Sequence, residues 1–310
     1  MAGKLVVCGV GLIGGSLALA IKAAFAGRRE RKSALASVAN ERHDCPCIVG
    51  MGRSRASLEE ALGRGVIDEI GRDWESALEG ADLVFLGMPV GQMPTVMQAI
   101  APHLSPRTLV TDGGSTKSDV VAAARAALGD RIGQFIPGHP IAGAEKSGVA
   151  AARADLYQGK RVVLTPLPEN RPEDVAAIRQ VWELCGAKVS ELSPQEHDRV
   201  FAAVSHLPHL LAFALVHDLA SRDNAEQLFS FAASGFRDFT RIASSHPEMW
   251  RDICIANRNA LLKELDAFMI ELLKTRVLLA SADSAGLEAM FATARARRDA
   301  WLETLLPVGE

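Results

Sequence analysis

The stretch GHPIAGAEKSG, residues 138–148, places a histidine and a glutamate, His139 and Glu145, in a run rich in glycine. Such a run makes neither a regular helix nor a good strand interior, so a loop presenting two titratable groups is expected. A second segment, DGGSTKSD at 112–119, offers Ser115, Thr116 and Lys117. A third, SHLPH at 205–209, carries His206 and His209 three positions apart, on one side of a helix if a helix forms there. Arg241 stands in GFRDFTRIA. Histidine titrates in the range needed to take a proton at neutral pH, and a guanidinium suits a carboxylate. Each group also has a structural reading: His139 and His206 as packed histidines, Arg241 as a surface arginine. His103, His197, His217 and His246 join no such group and are expected as ordinary surface or core residues. Lys117 is left without a role.

Gly9-x-Gly11-x-x-Gly14 follows the apolar run KLVVC and opens LIGGSLALAIKAAF. In that setting the pattern is a dinucleotide fingerprint, with Gly9, Gly11, Leu12, Ile13 and Gly14 at the pyrophosphate and the anion held at a helix N-terminus. A glycine turn kept for packing alone is the alternative. The second half of the fingerprint is an acid at the end of the next strand, where it holds the ribose hydroxyls. Here CIVGM (47–51) ends instead in Gly52, Arg53, Ser54 and Arg55. An acid would repel a 2′-phosphate, whereas arginine and serine can bond it. The expectation is NADP as the preferred cofactor over NAD, with Arg53, Ser54 and Arg55 at the phosphate.

These residues must be carried by elements. KLVVC (4–8), CIVGM, DLVFLGMP (82–89), TLVTDGG (108–114), QFIPGHP (134–140), KRVVLTPL (160–167) and AKVSEL (187–192) read as strands, with helical patterns between them. Alternating strands and helices predict an α/β, Rossmann-type domain with a mostly parallel sheet over 1–192. From Ser193 no strand is legible, and 193–310 reads as an all-helical domain, with Pro208 and Pro247 as breakers or helix starts. LPHLLAFALVHDLA is apolar on more than one face and must be buried, against a partner subunit in a homodimer. The polar segment 26–46 is expected as a helix extension plus loop with no chemistry.

The chain has 310 residues, 48% hydrophobic and 23% charged, as a globular protein with a good core does. A net charge of −3 speaks against a nucleic-acid or membrane-surface partner. The apolar runs read as broken before they could span a bilayer. Five cysteines include Cys45 and Cys47, but no second pair at zinc spacing, so no metal is expected. No signal pattern precedes KLVVC, and reduced thiols in a cytoplasmic enzyme are expected.

GVGLIGGS, DGGSTK, GHPIAGAEKSG, ADLYQGK, SHLPH and GFRDFTRIA occur in one order along nearly the whole chain. Together they resemble the prephenate/arogenate dehydrogenase family of tyrosine biosynthesis. The resemblance implies a Rossmann-type domain followed by a helical dimerisation domain, and oxidative decarboxylation of a small cyclohexadienol. It implies His139 as the catalytic histidine and Ser115 as its hydroxyl-orienting partner. It also implies Arg241 on the ring carboxylate, His209 and, more weakly, His206 along the substrate site, and Glu145 near its entrance. The polar insertion and the missing ribose acid depart from the family's common pattern. Rival readings are another two-domain dehydrogenase, such as a β-hydroxyacid dehydrogenase or an imine reductase, and a nucleotide-sensing protein. The β-hydroxyacid enzymes rest on a lysine where this chain has EHDRVFAAVSH; a nucleotide-sensing protein needs no proton acceptor.

Overall fold

The computed structural model describes residues 3–34, 45–144 and 146–304 and forms two compact units, 1–258 and 259–310. In the first, β1 (Lys4–Cys8), β2 (Cys47–Met51), β3 (Glu69–Ile70), β4 (Leu83–Leu86), β5 (Leu109–Asp112) and β6 (Phe135–Ile136) make one sheet. Its order is β3-β2-β1-β4-β5-β6 and every pairing is parallel. Helices α1 (Leu12–Ala34), α2 (Arg55–Gly63), α3 (Trp74–Leu78), α4 (Met93–Ile100), α5 (Ser118–Leu128) and α6 (Pro172–Leu184) accompany it. Both faces are covered, which is why the inner strands are near-continuous apolar runs. Alternate residues feed opposite cores: Leu5 and Val7 pack with Leu17, Ile21 and Trp182, while Val6 and Cys8 pack with Met93 and Met97. The strand order reverses between β1 and β4, where a sheet of this kind leaves a crevice for ligands.

QFIPGHP does not form one strand. β6 ends at Ile136, and the chain then crosses to a second sheet made of β7 (Gly138–Pro140), β8 (Arg161–Leu164) and β9 (Lys188–Glu191). Pro137 lies at the crossing; it has no N–H for a ladder, and its carbonyl accepts from Thr165 N at 2.9 Å. The expected loop at His139 is therefore a short strand, with His139 opposite Val163 in an antiparallel pair. β7 lies at the edge of its sheet, where a proline is tolerated.

After Glu191 the described residues hold helices and no strand: α7 (Pro194–Phe201), α8 (Leu207–Ala220), α9 (Ala225–Ser230), α10 (Ser234–Thr240) and α11 (Pro247–Ala256). These belong to the same compact unit as the sheets. Pro208 does not break its helix. A π-turn, Ala202–His206, joins α7 to α8, and Leu207 N bonds back to Ala202 O. A proline nitrogen cannot donate and its ring crowds the carbonyl four residues back, so a widened turn is the local answer. The continuous helix Pro194–Ala220 is, contrary to the sequence reading, long and apolar enough to cross a bilayer by length and composition alone. Its most apolar stretch is 28% buried, and the helix also carries the buried, hydrogen-bonded His197 and Asp198. Of the 26–46 segment, α1 takes the part up to Ala34; residues 35–44 lie outside the described residues.

The second unit is a helical hairpin of α12 (Arg258–Ala280) and α13 (Ser284–Glu303). Asp283 caps α13 by accepting from Gly286 N at 2.9 Å, and Thr275 meets Met290 across the hairpin.

Candidate active site

The glycine turn has the shape a pyrophosphate needs. Gly9 sits at φ +88°, and a Cβ there would fall 2.9 Å from the Gly87 backbone. A Cβ on Gly14 would fall 2.3 Å from Gly9 O, so packing alone demands that glycine. A Cβ on Gly11 would meet nothing within 4 Å. Packing therefore does not explain Gly11; an open approach to the backbone does. The first turn of α1 holds no acid. Gly11, Leu12 and Ile13 line a cleft of about 530 Å³ together with Ser115 and His139, a volume in the range of small-molecule sites. At the end of β2, Ser54 caps α2 by accepting from Ser57 N at 3.2 Å, and Arg55 pairs with Glu59 at 2.9 Å. Arg53 is exposed beside them.

The half-buried His139 is the end of a chain that sequence reading did not show. Its Nδ1 lies 2.8 Å from Nε2 of His197, whose Nδ1 lies 2.9 Å from Oδ1 of Asp198. Both partners are buried. His197, expected as an ordinary histidine, is thus corrected to a direct partner of His139. Asp198 also accepts from the backbone N–H groups of Lys117 and Ser118, each at 2.8 Å, at the N-terminus of α5. Burial works to raise its pKa, but the bonds from His197, Ser118 and Lys117 prevail and hold it below the ordinary carboxylate value. Burial, with His197, Lys117 and His206 nearby, holds His139 well below its ordinary value, so it stands neutral. His197 is lowered by burial too, with its bond to Asp198 opposing.

His206 and His209 gather around Trp250, and neither they nor Arg241 are among the residues that line the cleft. His209 stacks on the indole at 3.7 Å between centroids, and His206 meets it edge-on at 6.1 Å, so the two histidines do share a side. His206 is buried; Asn257 Nδ2 donates to its Nδ1 at 3.0 Å and to Asp198 O at 2.8 Å. Burial, then His197, brings the His206 pKa down to about 4. His209 Nδ1 donates to Ser205 O at 2.8 Å, which leaves Nε2 as the acceptor. Burial lowers the His209 pKa and the Arg241 cation lowers it further, so Arg241 lies within its electrostatic reach. Arg241 itself is exposed, on the turn Arg241–Ser244. His246, also expected to be ordinary, lines the cleft, as does Lys146. His103 and His217 are exposed. Glu145 lies outside the described residues. Lys117, unassigned from sequence, is fully buried and ion-paired with Asp112.

The family model "Prephenate dehydrogenase, nucleotide-binding domain" matches residues 35–191, and "Prephenate dehydrogenase, dimerization domain" matches 193–293. The chain is 37% identical to a prephenate dehydrogenase of Bacillus subtilis over 96% of its own length and 76% of that protein's. It is 34% identical to a cyclohexadienyl dehydrogenase of Zymomonas mobilis, over 89% and 88%. Among solved structures, a prephenate dehydrogenase from A. aeolicus in complex with hydroxyphenyl propionate and NAD+ superposes with a TM-score of 0.84. It is 34% identical and the match covers 96% of this chain and 98% of that one. A Synechocystis arogenate dehydrogenase gives 0.76 at 30% identity, covering 96% and 99%. With two family models spanning most of the chain, and a glycine turn and a neutral histidine opening on one cleft, this chain belongs to the prephenate dehydrogenase family.

Proposed function

We propose that the protein oxidises and decarboxylates prephenate or arogenate, to 4-hydroxyphenylpyruvate or tyrosine, with NADP preferred and NAD as the alternative acceptor. The observation that carries this reading is the directed chain from Asp198 through His197 to His139, which ends in the cleft beside the glycine turn. An ionised carboxylate only accepts, so His197 holds its hydrogen on Nδ1 and His139 donates from Nδ1 to His197 Nε2. The lone pair of His139 Nε2 is left to act as base. Ser115 orients the substrate hydroxyl, and His139 takes its proton as the carbonyl forms. A nicotinamide bound beside Gly11, Leu12 and Ile13 would supply the acceptor for the hydride that leaves the carbinol carbon. The bond to the ring carboxylate then breaks, its electrons flow through the ring to the carbonyl oxygen, and carbon dioxide leaves. The proton on His139 returns to that oxygen, and the ring becomes aromatic. Arg241 binds the ring carboxylate, His209 and His206 line the substrate site, and Glu145 serves its entrance.

The NADP preference rests on the end of β2, which has no acid and offers an exposed Arg53; Ser54 and the weakly paired Arg55 stand next to it. Residues 1–192 hold the dinucleotide, and 193–310 supply the substrate contacts and a homodimer interface. Supporting the dimer, Leu262, Met269, Ile270, Leu273 and Val277 of α12 are exposed apolar residues. Reduced-nicotinamide absorbance with each substrate and each cofactor tests the reading. Turnover is expected with at least one substrate and faster with NADP; no signal with either substrate would sink it.

A further inference from the structure

We propose that the buried Asp112–Lys117 ion pair is the positioning device of this reaction, fixing Ser115 and His139 in the cleft; the inference rests on His139 being the base. Both side chains are fully buried. The ammonium of Lys117 bonds the Asp112 carboxylate and also donates to Gly138 O at 2.7 Å. Asp112 Oδ1 accepts from Gly138 N at 3.0 Å, and Oδ2 accepts from Gly114 N at 2.8 Å. The residue before His139 thus has both backbone groups committed to the pair, and the residue before Ser115 has its N–H committed. The same Lys117 gives its own N–H to Asp198, the far end of the histidine chain. The ion pair therefore joins the loop after β5 to the edge strand β7, while the Lys117 backbone ties the same loop to helix α7.

Stability alone is a poor account of such a pair. Desolvating two charges is costly, and apolar residues of similar volume often serve a core as well or better. Apolar residues would not supply the three backbone bonds that hold Gly114 and Gly138. β7 especially needs them, because it is three residues long and paired on one side only. A reacting group displaced by about 1 Å can cost about a hundredfold in rate.

The test is a double-mutant cycle between Lys117→Met and His139→Asn, reading turnover, cofactor affinity and melting temperature. Lys117→Met is expected to lower kcat by about tenfold to a hundredfold. In the His139→Asn background the same substitution is expected to cost several-fold less than in the parent, the remainder being the part that acts through Ser115. Cofactor affinity stays near the parent's in each variant. An equal fold-loss in both backgrounds, with His139→Asn itself impaired, would overturn the positioning role and leave the base assignment standing. Parental turnover in His139→Asn would overturn the base assignment and the proposal with it. If Lys117→Met does not fold, Asp112→Asn runs the same cycle at nearly unchanged volume. If neither folds, the pair serves folding and the proposal is wrong.

Discussion

The carboxylate of Asp198 can only accept, and that sets the proton positions as far as the cleft. His197 must turn its N–H to Asp198, and His139 must turn its own to His197. Removing the middle member leaves His139 free to rotate and to adopt the other tautomer. His197→Gln is therefore expected to lower kcat by about tenfold to a hundredfold with little change in cofactor affinity. Steady-state kinetics with a cofactor titration would check it; an unchanged kcat would show that the chain is not used. His139 was legible in the sequence because a titratable residue in a glycine-rich run stands out, and because the motif around it resembles a family's. His197 was not. It lies 58 positions from His139 in an amphipathic helical run, and a histidine there looks like any other until the helix is docked. Lys117 and Asp112 were hidden for the same reason: their pairing is short in sequence, but their bonds to Gly138 of β7 form only when the chain returns from elsewhere.

At the scale of elements, the strands of the parallel sheet were readable because burial on both faces leaves uninterrupted apolar runs. β3, two residues long, gives no such run. The split of 134–140 into β6 and β7 was missed because β7 owes its form to pairing with β8, a tertiary effect that no local propensity carries. Pro137 was the available signal. In the proposed reading, the end of β2 is what chooses between NADP and NAD. A Cβ at Gly52 would meet only Leu58, at 3.7 Å and beyond, so a longer side chain fits there. Gly52→Asp with Arg53→Ala is expected to reverse the preference from NADP to NAD. Each hydrogen bond to a charged group contributes about 1.5–3 kcal/mol, so the ratio of kcat/KM values should move by about tenfold or more. A parent enzyme that favours NAD would show that Arg53 does not meet a phosphate.

At the scale of the whole molecule, buried neutral histidines make stability depend on pH. His206 titrates at about 4 when folded against 6.5 for the free side chain, and His139, His197 and His209 are lowered in the same direction. The unfolded chain therefore binds more protons below 6.5, so this stability is complete above that pH and is lost as pH falls toward 4. Asp119, raised by burial, opposes the trend. A tenfold difference in proton affinity between the folded and unfolded chain is worth about 1.4 kcal/mol, so the His206 shift by itself is worth a few kcal/mol. Melting temperature should fall steadily from about pH 7 to about pH 5; a flat profile would contradict the buried neutral state. The exposed apolar residues of α12, with Phe291 on α13, lead to a second expectation: light scattering at micromolar concentration should give twice the chain mass, and a monomer would count against a dimer interface. The central claim, that His139 is the base, is met most directly by the turnover of His139→Asn with NADP and whichever of prephenate and arogenate the parent uses, measured beside its NADP affinity. A loss of about a hundredfold to ten-thousandfold with unchanged NADP binding is predicted. Turnover within a few-fold of the parent would contradict it.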